Sequence, residues 1–321
     1  MREAAGMSER SGRVVPPGGG RRARALRRPP FFLLWPSAAL LCLIVLLPFA
    51  IGVYTSFTGL NQYTISHWSS APFIGWQNYV DSFTQGDALG ATLLQSAWAS
   101  ISFALATTAI ILPIGIVAAL LMNRPFPGRG MVRSLFLVPF VMPTFVNAIT
   151  WRLLFMNNWG LIDRLLSTLH LASANTYWLI GPNTFWAMVL ADVWASWPFV
   201  YLLTLAGLQQ ISDELYEAAT IDGANGPAMF FQVTLPLLRP ILGLAILLST
   251  LNHYNNFTLP FVMFGTPPPT QVDVLPVNVY VTSFQLFNLG GGAAMSLITL
   301  LIMLVPAFFY IRLVRLGEGA A

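Results

Sequence analysis

Six stretches of this sequence are long and apolar enough to cross a lipid bilayer, and that property limits what the chain can fold into. A helix rises about 1.5 Å per residue, so roughly 20 mostly apolar residues traverse a hydrocarbon core of about 30 Å. The stretches are 31–57, 92–122, 134–156, 184–208, 241–264 and 293–313. In lipid each backbone N–H and C=O must find a partner within the protein, which favours helices for runs of this length. Composition agrees. Charged residues make up 9% of the chain and hydrophobic ones 56%, where a soluble domain carries about 25% and 45–50%. So few charges cannot clothe a water-soluble body of 321 residues. The expectation is an all-α integral membrane protein without strands of consequence. Pro48, Pro113, Pro139, Pro143, Pro198 and Pro306 lie inside these runs and read as kinks tolerated by packing.

The charges that remain set orientation and exclude chemistries. All 16 basic side chains are arginine, so a Walker A phosphate loop and a lysine Schiff base are excluded. A single cysteine, Cys42, excludes an internal disulfide and CxxC metal or redox motifs, and its leucine-rich setting suits an inert thiol. His67, His170 and His253 are too scattered for a zinc site. Eight arginines crowd the arm 1–30, and others follow the second run (Arg124, Arg129, Arg133) and end the sixth (Arg312, Arg315). The connections 59–90 and 265–292 contain none. Cytoplasmic loops retain positive charge, so both termini are expected inside. The first run is longer than a signal peptide's apolar region and reads as a span preceded by a disordered arm. Arginines beside a span suit anionic lipid rather than nucleic acid.

Segment 209–240, QQISDELYEAATIDGANGPAMFFQVTLPLLRP, lies between the fourth and fifth runs on the cytoplasmic side and holds four acids. It reads as a short helix opened by Ser212 as N-cap, with Asp213 and Glu214 in its first turn. The expected course breaks near Gly223, resumes, and ends before Pro236. Ile211, Leu215, Ala218 and Ala219 form a candidate apolar face beside Glu217 and Asp222. Glu217-Ala218-Ala219, Gly223 and Val233-Thr234-Leu235-Pro236 together reproduce a spacing: EAA, three residues, Gly, nine residues, aliphatic, any residue, Leu-Pro.

This spacing resembles the EAA loop of binding-protein-dependent ABC importers, and the flanks resemble permeases for sugars and glycerol phosphate. The resemblance covers about 30–315 in outline. It implies a type I ABC importer permease fold of six transmembrane helices, with a permease domain over 31–316 and a short tail 317–321. It implies a bacterial cytoplasmic membrane location and a carbohydrate substrate. Glu217, Ala218, Ala219, Asp222, Gly223, Leu235 and Pro236 would then couple the chain to ABC ATPase subunits. The chain itself would have no catalytic residue, metal or cofactor; ATP and Mg2+ would belong to the ATPase. A second, non-identical permease and an extracytoplasmic solute-binding protein complete the implied complex. One departure concerns the usual Thr-x-Gly-Gly-Pro after the fifth span, replaced by Thr266-Pro267-Pro268-Pro269.

Polar side chains within spans face a bundle interior or a cavity. Ser249, Asn252, His253 and Asn256 recur at i, i+3, i+4 and i+7, and Asp192, Ser196 and Phe199 at similar spacing. Amides, a carboxylate and aromatic rings suit sugar hydroxyls and C–H faces, so these residues are a candidate substrate path. Interhelical hydrogen bonding is the competing reading. Arg152 reads as an interfacial side chain whose head reaches water. An ion-coupled secondary transporter is the alternative function. It would need a buried titratable relay, for which Asp192 and His253 are the candidates within spans, and no internal repeat is evident.

Overall fold

The computed structural model describes residues 31–84, 92–157, 159–170 and 176–318. The arm 1–30 and the last three tail residues lie outside the described residues. The chain forms two units, one ending at Ile51 and the other beginning at Gly52. The first holds α1 (Phe31–Leu41), a π-turn (Cys42–Leu46) and the first half of α2 (Leu47–Ser56), a continuous apolar helical run.

The second unit contains α3 (Gln77–Thr84), α4 (Leu93–Asn123), α5 (Arg129–Phe136), α6 (Val138–Val141), α7 (Thr144–Leu154) and α8 (Leu161–Thr168). It continues with α9 (Thr184–Leu208), α10 (Asp213–Ile221), α11 (Gly226–Met229) and α12 (Leu235–Tyr254). It closes with α13 (Thr258–Phe264), α14 (Leu275–Tyr280) and α15 (Leu289–Glu318). Among the described residues, five helical runs are long and apolar enough to cross a membrane, six if the bent α5–α7 segment counts as one span. Among the described residues, β structure is limited to two isolated bridges, Thr58 with Phe73 and Asn61 with Asn288.

The centre of this unit is α4 packed along α9, with α12 against both. Lipid is as apolar as a leucine side chain, so such helices associate through close packing rather than through escape from water. Small residues permit it. A Cβ at Gly115 would stand 2.6 Å from Val200 Cβ, and one at Gly207 would stand 2.7 Å from Leu238 Cδ2. Phe103, Ile111, Met188 and Val189 share a packed cluster with Val200 and are fully buried. α4 starts sharply because Thr92 and Gln95 form a reciprocal capping box.

Three expected spans change shape. The third is not one helix over 134–156: the helical run ending at Val141 and α7 meet at 88°. Pro143 removes a donor and pushes Met142 into an extended conformation (φ −68°, ψ 129°). Pro139 removes another donor one turn earlier. The fifth does not run from 241 to 264. Its helix begins at Gly226, passes Pro236 and Pro240, and stops at Tyr254, after which α13 is separate. The chain therefore does not end a helix before Pro236. A π-turn over Phe230–Thr234 carries it through, with Leu235 N–H donating to the Phe230 carbonyl. The sixth starts at Leu289, before residue 293.

The connection 265–292 is folded into the unit. Val272, Leu275 and Val277 are buried, and α14 packs on α4 and α15. Its Asp273 accepts from Ser96 Oγ at 3.2 Å and from Asn278 Nδ2 at 3.3 Å, while Ser100 Oγ accepts from the Leu275 N–H.

Candidate functional site

The loop between α9 and α12 presents an exposed hairpin of helix and turn. Asp213 and Glu214 occupy the first turn of α10, where the helix dipole favours acids. Ser212 holds the N-cap position with extended backbone, but its side chain makes no capping bond, contrary to expectation. The other end is built as expected around glycine. Gly223 has φ +82°, Ala224 N–H donates to the Ala219 carbonyl at 2.9 Å and Gly223 N–H to Thr220 at 3.1 Å. This is the Schellman pattern, whose left-handed residue is cheapest as glycine. Asn225 Oδ1 then accepts from the Ala228 N–H and starts the next helix.

The motif residues divide into two groups. Glu217, Ala218, Asp222 and Gly223 are exposed, and Ala219 is half-buried. Beside them Ile221 is 86% exposed and Phe231 63%, an apolar rim unusual for a water-facing loop. Leu235 and Pro236 are half-buried, and Leu235 packs on the cluster of Leu208, Tyr201 and Leu238. Tyr216 OH and Thr234 Oγ1 lie 3.2 Å apart and tie the exposed helix to the root of α12.

The second feature is a polar cavity of about 590 Å3, bounded by the bend of the third span, by α9, and by the break after α12. Irregular backbone inside a bundle is tolerated where it lines such a cavity. Asp192, Ser196, Asn252 and Asn256 line it. Ser249 and His253 do not; both are buried behind it. Phe199 stacks on Phe140, a lining residue, at 6.2 Å between centroids. The expected single face is also revised at Asn256, which sits in the break beyond Tyr254 rather than on α12. There its Oδ1 accepts from Leu259 N–H at 3.2 Å, and its Nδ2 donates to Asp192 Oδ1 at 3.4 Å.

Asp192 is the hub. Its Oδ2 stands 2.6 Å from His253 Nδ1, although the ring N–H is not aimed at that oxygen. Its Oδ1 accepts from Ser196 Oγ at 3.5 Å, and the Phe103 ring meets His253 edge-on. Buried polar atoms without a partner collect nearby: Ser249 Oγ, His253 Nε2 and Asn147 Oδ1. Sequence reasoning missed Asn147, Asn255, Thr144 and Thr258, all on the cavity. The asparagine pair at 255–256 was the available signal, since adjacent amides favour leaving a helix. Arg152 donates to the Val262 carbonyl at 3.2 Å and is absent from the cavity lining. No group of three potential metal ligands occurs among the described residues.

Comparison with known proteins gives concordant matches. Residues 111–316 match the family described as binding-protein-dependent transport system inner membrane component. The chain is 36% identical to the trehalose/maltose transport system permease protein MalF of Thermococcus litoralis, over 76% of this chain and 80% of that protein. It is 31% identical to the sulfoquinovosyl glycerol transport system permease protein SmoG of Agrobacterium fabrum, over 87% of this chain and 88% of that one. Among solved structures, a bacterial ABC transporter involved in import of the acidic polysaccharide alginate superposes with a TM-score of 0.74. That match covers 89% of this chain and 94% of the other at 19% identity, which speaks to fold.

Proposed function

The chain belongs to the binding-protein-dependent transport system inner membrane components, and from that premise we propose that it forms part of a carbohydrate path and is driven by a separate ATPase through the α10 loop. As a family member it is a multi-pass inner-membrane transport subunit. The observation that carries the coupling is the exposed Glu217-Ala218-Ala219 helix ending at Gly223, mechanically joined to α12 through Tyr216 and Thr234. A helix seated in a partner's groove moves with that partner as a rigid body. Ala218 and Ala219 allow close approach, and Glu217, exposed and without an ion pair among the described residues, is open to a partner's cation. Closure of the ATPase on ATP would tilt α9 and α12, between which the polar cavity lies. ATP and Mg2+ serve in that partner.

Carbohydrate is supported by the chemistry of the cavity and by the names of relatives, which include trehalose, maltose, sulfoquinovosyl glycerol and starch degradation products. Amides, hydroxyls and one carboxylate around a space of about 590 Å3 provide the hydrogen-bonding groups that a saccharide offers in return. A second permease and an extracytoplasmic binding protein complete the proposed assembly. The ion-coupled alternative finds no support in the comparisons. Affinity purification of the tagged chain from its native membrane tests the reading. An ATPase and a second permease should co-purify, and saccharide uptake should depend on ATP hydrolysis. Uptake by the chain alone, driven by an ion gradient, would overturn it.

A further inference from the structure

We propose that Asp192 makes this chain's face of the solute path select uncharged saccharides over acidic ones, an inference that rests on the cavity being that path. Among the residues lining the cavity, Asp192 is the one charged group; the rest of the polar lining consists of amides and hydroxyls. None of the described arginines lines the cavity. Arg129 and Arg133 donate to the carbonyls of Asn123 and Met122, and Arg152 to that of Val262. A path for uronates, sulfonates or phosphates would call for the opposite sign, because guanidinium forks match those groups in shape and charge.

The carboxylate is also oriented. His253 stands against Oδ2, is 3% exposed and lies outside the cavity lining. Oδ1 is held by two lining side chains, Ser196 at 3.5 Å and Asn256 at 3.4 Å. Oδ1 thus stands on the cavity side and the ring behind Oδ2. Both contacts to Oδ1 are long, and a hydroxyl approaching at about 2.7 Å forms a stronger bond to a carboxylate. A saccharide hydroxyl can therefore replace one of them. An anionic group about 6 Å from a carboxylate whose charge is uncompensated, at an effective dielectric constant of about 20, is disfavoured on the order of a hundredfold.

The test reads the field with probes rather than with the transported solute. In the assembled complex, with Cys42→Ser as background, Asn252→Cys places a thiol on the cavity wall, and Tyr63→Cys places one on an exposed loop as reference. Each is labelled with cationic aminoethyl and with anionic sulfonatoethyl methanethiosulfonate. The cation-to-anion rate ratio at 252 should exceed the reference ratio by at least tenfold, and Asp192→Asn should reduce it to within about threefold of the reference. Thr258→Asp adds a second carboxylate to the lining, leaves Asp192 and both of its Oδ1 partners in place and should raise the ratio further, so an Asp192 variant that fails to assemble does not end the test. A ratio at 252 equal to the reference, or one unmoved by both substitutions, overturns the proposal. Maltotriose and trigalacturonate are then compared as protectants of the same thiol: slowing by the neutral sugar alone supports the selection, and equal slowing by both overturns it. Protection by neither, with the rate ratio intact, overturns the solute-path reading and the proposal with it. The field of Asp192 would still stand, so the two failures are distinguishable.

Discussion

His253 Nδ1 lies 2.6 Å from Asp192 Oδ2, and this contact clamps α12 to α9 while both side chains are almost wholly buried. Removing one member of a buried pair leaves a group that has lost its partner, at a cost of about 3–5 kcal/mol, whereas replacing both by apolar groups is often near neutral. His253→Leu should therefore lower the thermal unfolding midpoint of the detergent-solubilised complex. The double variant Asp192→Leu, His253→Leu should recover much of that loss while remaining unable to transport. A double variant no more stable than the single one would show that the pair does not clamp the helices.

Close packing of α4 on α9 predicts an intolerance of a different kind. Gly115→Ala places a Cβ 2.6 Å from Val200 Cβ and 2.8 Å from Tyr201 N, closer than unbonded atoms approach. The helices must separate, and overpacking of this sort costs about 1–3 kcal/mol. Val200→Ala in the same chain removes only the Cγ1 contact at 2.7 Å and leaves the Val200 Cβ and the Tyr201 N in place, so it should return little of that cost. The check is the unfolding midpoint of both variants beside wild type; full stability of Gly115→Ala would mean that the helices are not held at this distance.

The path itself is tested at Asn252 and Asn256. Leucine at either position keeps side-chain bulk and removes amide groups from the cavity. A site built to hydrogen-bond a solute hydroxyl loses strongly when one partner is removed. Uptake should fall at least tenfold with unchanged recovery of the complex. Asn256→Leu should be the more severe, because Asn256 also holds Asp192 Oδ1 and caps α13 through Leu259 N–H. Wild-type uptake in both variants would assign these amides to packing.

Spans and loop were legible because each rests on a local signal. Residues 184–208 are predominantly apolar and form α9 over that range, and the glycine four residues after Ala219 is the one with φ +82°. The bends were not. Pro113, Pro198 and Pro306 sit inside continuous helices, whereas Pro143 ends one. The presence of proline does not decide the outcome; the neighbours do, and around 143 a second proline four residues earlier removes another donor. The polar stripe was legible as polar and misjudged in direction. A spacing of i, i+4 put Ser249 and His253 on one buried face, while Asn252 turned to the cavity and the chain left the helix before Asn256. Asn147 carried no signal beyond a lone amide in an apolar run, and its role depends on a bend that periodicity does not mark.

Gly223 gives the sharpest test of transmission, because its backbone and its surroundings make separable demands. At φ +82° an L side chain is strained, yet a Cβ built there meets nothing within 4 Å, so a substitution clashes with no neighbour. The cost is conformational alone, about 1–2 kcal/mol for most residues, less for asparagine and most for branched ones. Stability of the spans should therefore be almost unchanged across Gly223→Asn, Gly223→Ala and Gly223→Val. Coupling should not be. The turn sets the angle at which α10 leaves and the chain returns to α12, and a helix aimed wrongly loses its groove in the ATPase. Solute-stimulated ATP hydrolysis by the reconstituted complex should fall in the order asparagine, alanine, valine, with basal hydrolysis by the ATPase retained. Glu217→Ala should be milder than Gly223→Val, since an exposed ion pair contributes only about 0–1 kcal/mol. If Gly223→Val kept wild-type stimulated hydrolysis and uptake, the Schellman turn after α10 would not be the element that transmits the motion.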